Sequence, residues 1–153
     1  MAGAVDRASV GWRALYGMGE AYLELGRPDD ARTALTQALI DVPGNVVVTR
    51  ALAVAEEKAG DVQGAYDRLD AAIRQHPMNI ELRRALADVL RRADEAAEAV
   101  RVLAPLLDGD FVPSEVYDDL ALALDATGAA ADAENARQIA QGLREGGAIG
   151  GVE

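Results

Sequence analysis

Residues 46–79, VVVTRALAVAEEKAGDVQGAYDRLDAAIRQHPMN, decide the fold. The stretch holds two apolar stripes of helical spacing. Leu52, Val54, Ala55 and Ala59 make the first; Ala65, Leu69, Ala72 and Ile73, at i, i+4, i+7 and i+8, make the second. Gly60-Asp61 lies between them, a turn followed by a helix N-cap. Pro77-Met78-Asn79 ends the second helix. The stretch is therefore a pair of helices joined by a tight turn.

The same features recur along the chain at a step of 34 residues. Ala31, Ala65, Ala99 and Ala133 keep the step throughout, Gly26, Gly60 and Gly128 keep it or its double, and Pro43 and Pro77 keep it. A period of this length means repeated supersecondary units. It predicts repeats at 12–45, 46–79, 80–113 and 114–147. Helices are expected at about 12–25, 29–42, 46–59, 62–76, 80–93, 95–107, 114–127 and 130–145. Two departures stand out. Asp94 takes the place of the turn glycine, so the third turn should be built differently. Asp108 to Pro113 reads as a looser connection, with Phe111 in place of the terminal proline.

Composition agrees. The 153 residues suit one domain, half are hydrophobic, and only 4% are aromatic, so alanine and leucine carry the packing. No cysteine is present, which excludes disulfides and thiolate metal sites and fits a reducing compartment. Met1 to Gly11 lacks the pattern of a signal peptide, and no run of about 18 apolar residues could span a bilayer. The expectation is a soluble, cytoplasmic protein with no membrane insertion. The net charge of −11 argues against nucleic acid, whose binders neutralise phosphates with a basic stripe. The acid excess is greatest in residues 114–147, with seven acidic and two basic side chains.

These residues resemble the tetratricopeptide repeat family. The first repeat carries the resemblance with Leu15, Met18, Gly19, Tyr22, Gly26, Ala31, Leu35, Ala38 and Pro43. The second carries it with Leu52, Ala53, Gly60, Ala65, Leu69, Ala72 and Pro77. The third keeps Leu86, Ala87, Leu90, Ala99 and Leu103, and the fourth Tyr117, Leu120, Ala121, Leu124, Gly128, Ala133 and Ala140. The resemblance implies an all-α fold, a right-handed α-solenoid of four antiparallel helix pairs. The four repeats make 1–147 a single domain, and the glycine-rich end, 148–153, is expected to be a disordered tail. Arg137 and Gln141 stand where earlier repeats have leucine or isoleucine, as a polar terminal cap requires.

The resemblance also implies a concave groove lined by the first helix of each pair. The fifth repeat position then gives Tyr16, Arg50, Arg84 and Asp118. Arg50 and Arg84, with Lys58 and Arg91 beside them, would form a basic strip in an acidic protein. A guanidinium fork suits a carboxylate, so the strip points to an acidic peptide or a C-terminal carboxylate. The competing reading is that these cations pair along the groove with Glu20, Glu57, Glu81 and Asp88. The family's chaperone-tail clamp is not expected, because Tyr16, Glu20, Ala51 and Glu81 occupy its positions.

Trp12 lies at the N-terminal edge. It either anchors a partner or covers the open end of the first helix pair. His76, the lone histidine, ends a helix, where a cation is favourable. The carboxylate neighbours Asp29-Asp30, Glu56-Glu57 and Asp118-Asp119 read as solvated faces. No catalytic or nucleotide-binding motif is present, and neither a metal nor a cofactor is expected.

The function this predicts is a non-catalytic protein-interaction module, an adaptor or assembly factor. Its peptide site would comprise Arg50, Arg84, Lys58, Arg91, Tyr16 and Asp88. The alternative is a structural subunit that self-associates, as a homo-oligomer, through the Trp12 edge or the last helix. The repeat register is testable by itself. Ala65→Leu or Ala99→Leu should destabilise the fold by roughly 1–3 kcal/mol through overpacking; an unchanged melting temperature would refute the register.

Overall fold

A computed structural model describes the backbone of residues 7–149 and the side chains of residues 11–146. All regular structure among the described residues is helical. The order is α1 (Arg7–Glu24), α2 (Pro28–Asp41), α3 (Val46–Lys58), α4 (Val62–Gln75), α5 (Ile80–Arg92), α6 (Ala96–Leu103), a 3-10 segment (Ala104–Asp108), α7 (Ser114–Thr127) and α8 (Ala130–Ile149). The chain divides into two compact units, residues 1–76 and 77–153, and the boundary falls at the end of the second repeat.

In the first unit, α2 packs on both α1 and α3, and α3 packs on α4. Its core is Leu35 and Ala38 of α2 against Val48, Leu52 and Ala55 of α3, with Ala31 also sealed from solvent. Trp12, Leu15 and Tyr22 of α1 close over this cluster, so the tryptophan packs inward, with the Arg13 guanidinium 4.8 Å from its ring centre. In the second unit, α6 packs on α5 and α7, and α7 on α8. Leu82, Leu103 and Val116 are fully buried there, as are Ala99, Ala133 and Ala140.

The helix ends follow from local chemistry. Asn45 and Asn79 cap α3 and α5, accepting from the amides of Val48 at 3.1 Å and Leu82 at 3.0 Å. Asp61 caps α4 through the Gly64 amide at 2.9 Å. The turn at Asp94 corrects the expectation of a different geometry. Asp94 has φ 63, the same left-handed conformation as Gly26, Gly60 and Gly128 at φ 69, 90 and 84. Aspartate is among the few side chains that tolerate this region.

Three helices differ in length from expectation, the first because it begins at Arg7 rather than near Trp12. The sixth stops at Leu103 and tightens into the 3-10 segment, because Pro105 has no amide to donate to the Arg101 carbonyl. The eighth continues to Ile149, through Gly146. Of the segment expected to be a tail, residues 148 and 149 belong to this helix and residues 150–153 lie outside the described residues.

One ion pair is part of the packing. Glu56 of α3 is buried, and both its oxygens accept from Arg68 of α4: Oε2 from Nε at 2.9 Å and Oε1 from Nη2 at 2.6 Å. The expectation of a solvated Glu56 is therefore wrong. The parallel fork holds α3 to α4 and neutralises a charge that burial would otherwise penalise. Removing the guanidinium with Arg68→Ala should cost about 2–3 kcal/mol, and Glu56→Gln, which leaves no orphaned charge, should cost less. Denaturant unfolding of both variants checks the order.

Candidate functional site

The repeat register aligns α1 and α3 so that equivalent residues form rungs across a valley. Tyr16 stands beside Arg50, Glu20 beside Val54, and Glu24 beside Lys58, each pair one repeat apart. Leu23 and Ala51 complete the lining, and the valley has a volume of ≈ 490 Å³. Its floor is apolar, and its rim carries two cations and two carboxylates. Burial, reinforced by the charge and hydrogen bonding of Glu20, pushes the Tyr16 phenol up from its ordinary pKa, while Arg50 pulls the other way. Tyr16 thus stays protonated with its single O–H engaged by Glu20, and its oxygen can still accept on the rim.

The equivalent helices of the second unit, α5 and α7, are arranged differently. Arg84 donates from Nε to Asp119 of α7 at 2.6 Å. Burial works against the Arg84 cation, but the hydrogen bond and charge of Asp119, together with the charges of Glu81 and Glu115, outweigh it and raise its pKa. Asp88 accepts from Arg91 at 2.8 Å and also from Arg92. The space enclosed by Ala87, Asp88, Arg91 and Asp119 is only ≈ 10 Å³. Here the cations fill their own valley.

The expected site residues therefore fall into two groups. Tyr16, Arg50 and Lys58 converge on the valley of the first unit. Arg84, Asp88 and Arg91 belong to the second unit and pair within it. The repeat positions that the resemblance assigns to the groove also include Leu23, Val54 and Glu24, which line the valley. The expectation of Asp119 on a solvated face is wrong, since it is paired with Arg84. Asp119 was legible in principle: it lies 35 residues after Arg84, one repeat plus one position, on the neighbouring first-type helix. Among the described residues no cluster of three or more His, Asp or Glu side chains could hold a metal ion, and no helix is long and apolar enough to cross a membrane.

Comparison with known proteins agrees with the helical-repeat fold. A tetratricopeptide repeat model matches residues 1–46 and 16–79, and a second model of the same description matches residues 57–118. Among curated proteins no sequence matches. Several solved structures share the fold. PilF of Pseudomonas aeruginosa superimposes with a TM-score of 0.78 at 20% identity, over 92% of this chain and 64% of that one. A MamA crystal structure gives 0.72 at 20% identity, over 90% of this chain and 81% of that one. MamA from Desulfovibrio magneticus RS-1 gives 0.68 at 20%, over 87% and 75%. At such identities the likeness shows the fold alone.

The Arg84–Asp119 bond makes a structural prediction. Both side chains are about 30% exposed (30% and 28%), so the pair is neither fully screened nor fully desolvated. A double-mutant cycle with Arg84→Ala and Asp119→Ala should give a coupling energy of about 1 kcal/mol. Coupling indistinguishable from zero would show that the bond does not hold α5 to α7.

Proposed function

We infer the function from one premise: the chain belongs to the tetratricopeptide repeat family. The fold is that of a protein-interaction scaffold, and the specific reading is a non-catalytic adaptor or assembly factor. It holds a peptide or a helix of a partner protein in the valley between α1 and α3. The observation that carries this is the valley's construction, an apolar floor of Leu23, Ala51 and Val54 beneath Arg50, Lys58 and the Tyr16 hydroxyl. A volume of ≈ 490 Å³ suits two or three side chains rather than a whole domain.

The ligand that fits is a segment with an apolar side chain for the floor and a carboxylate for Arg50 or Lys58. Arginine can grip both carboxylate oxygens, and the nearby floor lowers the local dielectric. Glu20 and Glu24 on the opposite rim disfavour a uniformly acidic stretch, so the preferred segment carries one or two acids beside apolar residues. Within the second unit, Arg84, Asp88 and Arg91 would take a ligand carboxylate only if it displaced an internal one. The acidic, cysteine-free composition fits a cytoplasmic setting.

The test is capture from a lysate of the source cells with wild-type protein and with Arg50→Glu/Lys58→Glu. The variant should lose the partner, with unchanged circular dichroism. Arg84→Glu is a poor probe of binding by itself, since it faces Asp119 and perturbs the second unit. Retention of every partner by the Arg50→Glu/Lys58→Glu variant would remove the valley from consideration.

A further inference from the structure

The outer face of α1 is apolar and open. Ala14, Gly17, Met18, Ala21 and Leu25, spaced i, i+3, i+4, i+7 and i+11, are all exposed, Met18 by 47% and Leu25 by 69%. One repeat later the same positions of α3 are Val48, Ala51, Leu52 and Ala55, which are buried and form the core with α2. Two repeats beyond that, Val116, Leu120 and Ala123 of α7 are buried, and α7 packs on α6. The register therefore marks this face as one that a helix covers wherever the described chain supplies one. On α1 the apolar residues remain, and none of the described residues covers them.

We propose that this face is the interface of a homodimer in which α1 packs antiparallel on α1 of a second copy. Three observations select that occupant. The face is symmetric along the helix, with Ala14 and Ala21 equidistant from a centre between Gly17 and Met18. Small residues at and around that centre let two backbones approach to the short end of helix-packing distances. The flank beside the face is self-complementary in charge. Glu20 and Glu24 lie on the flank toward the valley, and the helical wheel puts Arg13 between them in angle.

In an antiparallel pair related by a twofold axis, each flank meets its own counterpart. With the axis between Gly17 and Met18, Arg13 of one copy falls between Glu20 and Glu24 of the other, about 3 Å along the helix from each at a rise of 1.5 Å per residue. Head-to-tail growth through α8 lacks such support. The α8 residues in register with Leu35 and Leu39 of α2 are Arg137 and Gln141, and Arg137 is paired with Asp125. A second copy joined at α1 closes the assembly at two, as an isologous contact does.

The test is the mass of the purified full chain over a concentration series by light scattering, with two sets of variants. Wild type should approach twice 16.1 kDa as concentration rises. Met18→Glu, a change on an exposed side chain, should keep its melting temperature and weaken association by roughly tenfold or more, because the dimer would bury a charge. Arg13→Glu should weaken it too, and adding Glu24→Arg should restore it. The chain has no cysteine, so Gly17→Cys gives a clean probe; a β-carbon there meets nothing within 4 Å. Oxidation should link Gly17→Cys chains in pairs. A mass of 16.1 kDa at every concentration overturns the proposal, as does a dimer indifferent to Met18→Glu or a Gly17→Cys chain that does not cross-link.

Discussion

The whole arrangement depends on how closely the two helices of a repeat can approach. At Gly19 of α1 a β-carbon would lie 2.5 Å from Cγ of Leu35 in α2, well inside contact distance. Leu35 fills the space that Gly19 leaves, and it is fully buried there. On the facing helices Ala31, Ala65, Ala99 and Ala133 show no exposed surface at all. Contact this close fixes the crossing of each pair. The crossing in turn sets α1 beside α3 and α5 beside α7, and only then do residues one repeat apart become neighbours. A chain with larger side chains at these positions would still form helices, but it would lose the register that turns a sequence period into rungs.

Given that register, charge decides what each unit can do. The second unit uses its cations internally: Arg84 is bonded to Asp119, Arg91 and Arg92 to Asp88, Arg137 to Asp125, and Arg144 to Asp118 at 2.6 Å. Its large acid excess makes this possible, since a partner lies within reach of nearly any arginine. The first unit has a more even balance and a more apolar valley. Its strongest internal pair, Glu56–Arg68, joins α3 to α4 away from the valley. Among the described residues, α1 and α3 thus pair an apolar floor with cations on its rim where α5 and α7 do not, although the two pairs share the same backbone plan.

The helices and their order were legible because they follow from short-range rules repeated four times. Gly26 and Gly60 mark turns, Asp61 marks a cap, and the alanines mark close contacts, each within a few residues of its effect. Where the reading failed, the cause was either a local substitution or a contact across the fold. Asp94 in place of glycine suggests a different turn, yet it adopts the glycine conformation because the backbone around it demands that shape. Pro105 ended α6 early through one missing amide. Glu56 looked like half of a solvated pair because nothing local reveals that Arg68, twelve residues on, reaches it across the α3–α4 contact. Site residues were legible to the extent that the repeat position was. Tyr16, Arg50 and Lys58 converge as the register requires, whereas the partner of Arg84 depended on a diagonal between neighbouring helices.

Helix α1 carries more than one task, and its faces show how they are related. One side closes the core through Trp12, Leu15 and Tyr22, and another lines the valley through Tyr16, Glu20, Leu23 and Glu24. A third presents Met18 and Leu25 to solvent. Glu20 and Glu24 lie at the border between the second and third. In a dimer formed through the third face they would meet Arg13 of the other copy, and the rim of the valley would lose part of its negative charge. A carboxylate ligand would then be repelled less, so association and ligand binding would favour each other. By linkage the coupling must be equal in both directions. It needs no conformational change in either unit, because the two sites share the same two carboxylates on one rigid helix.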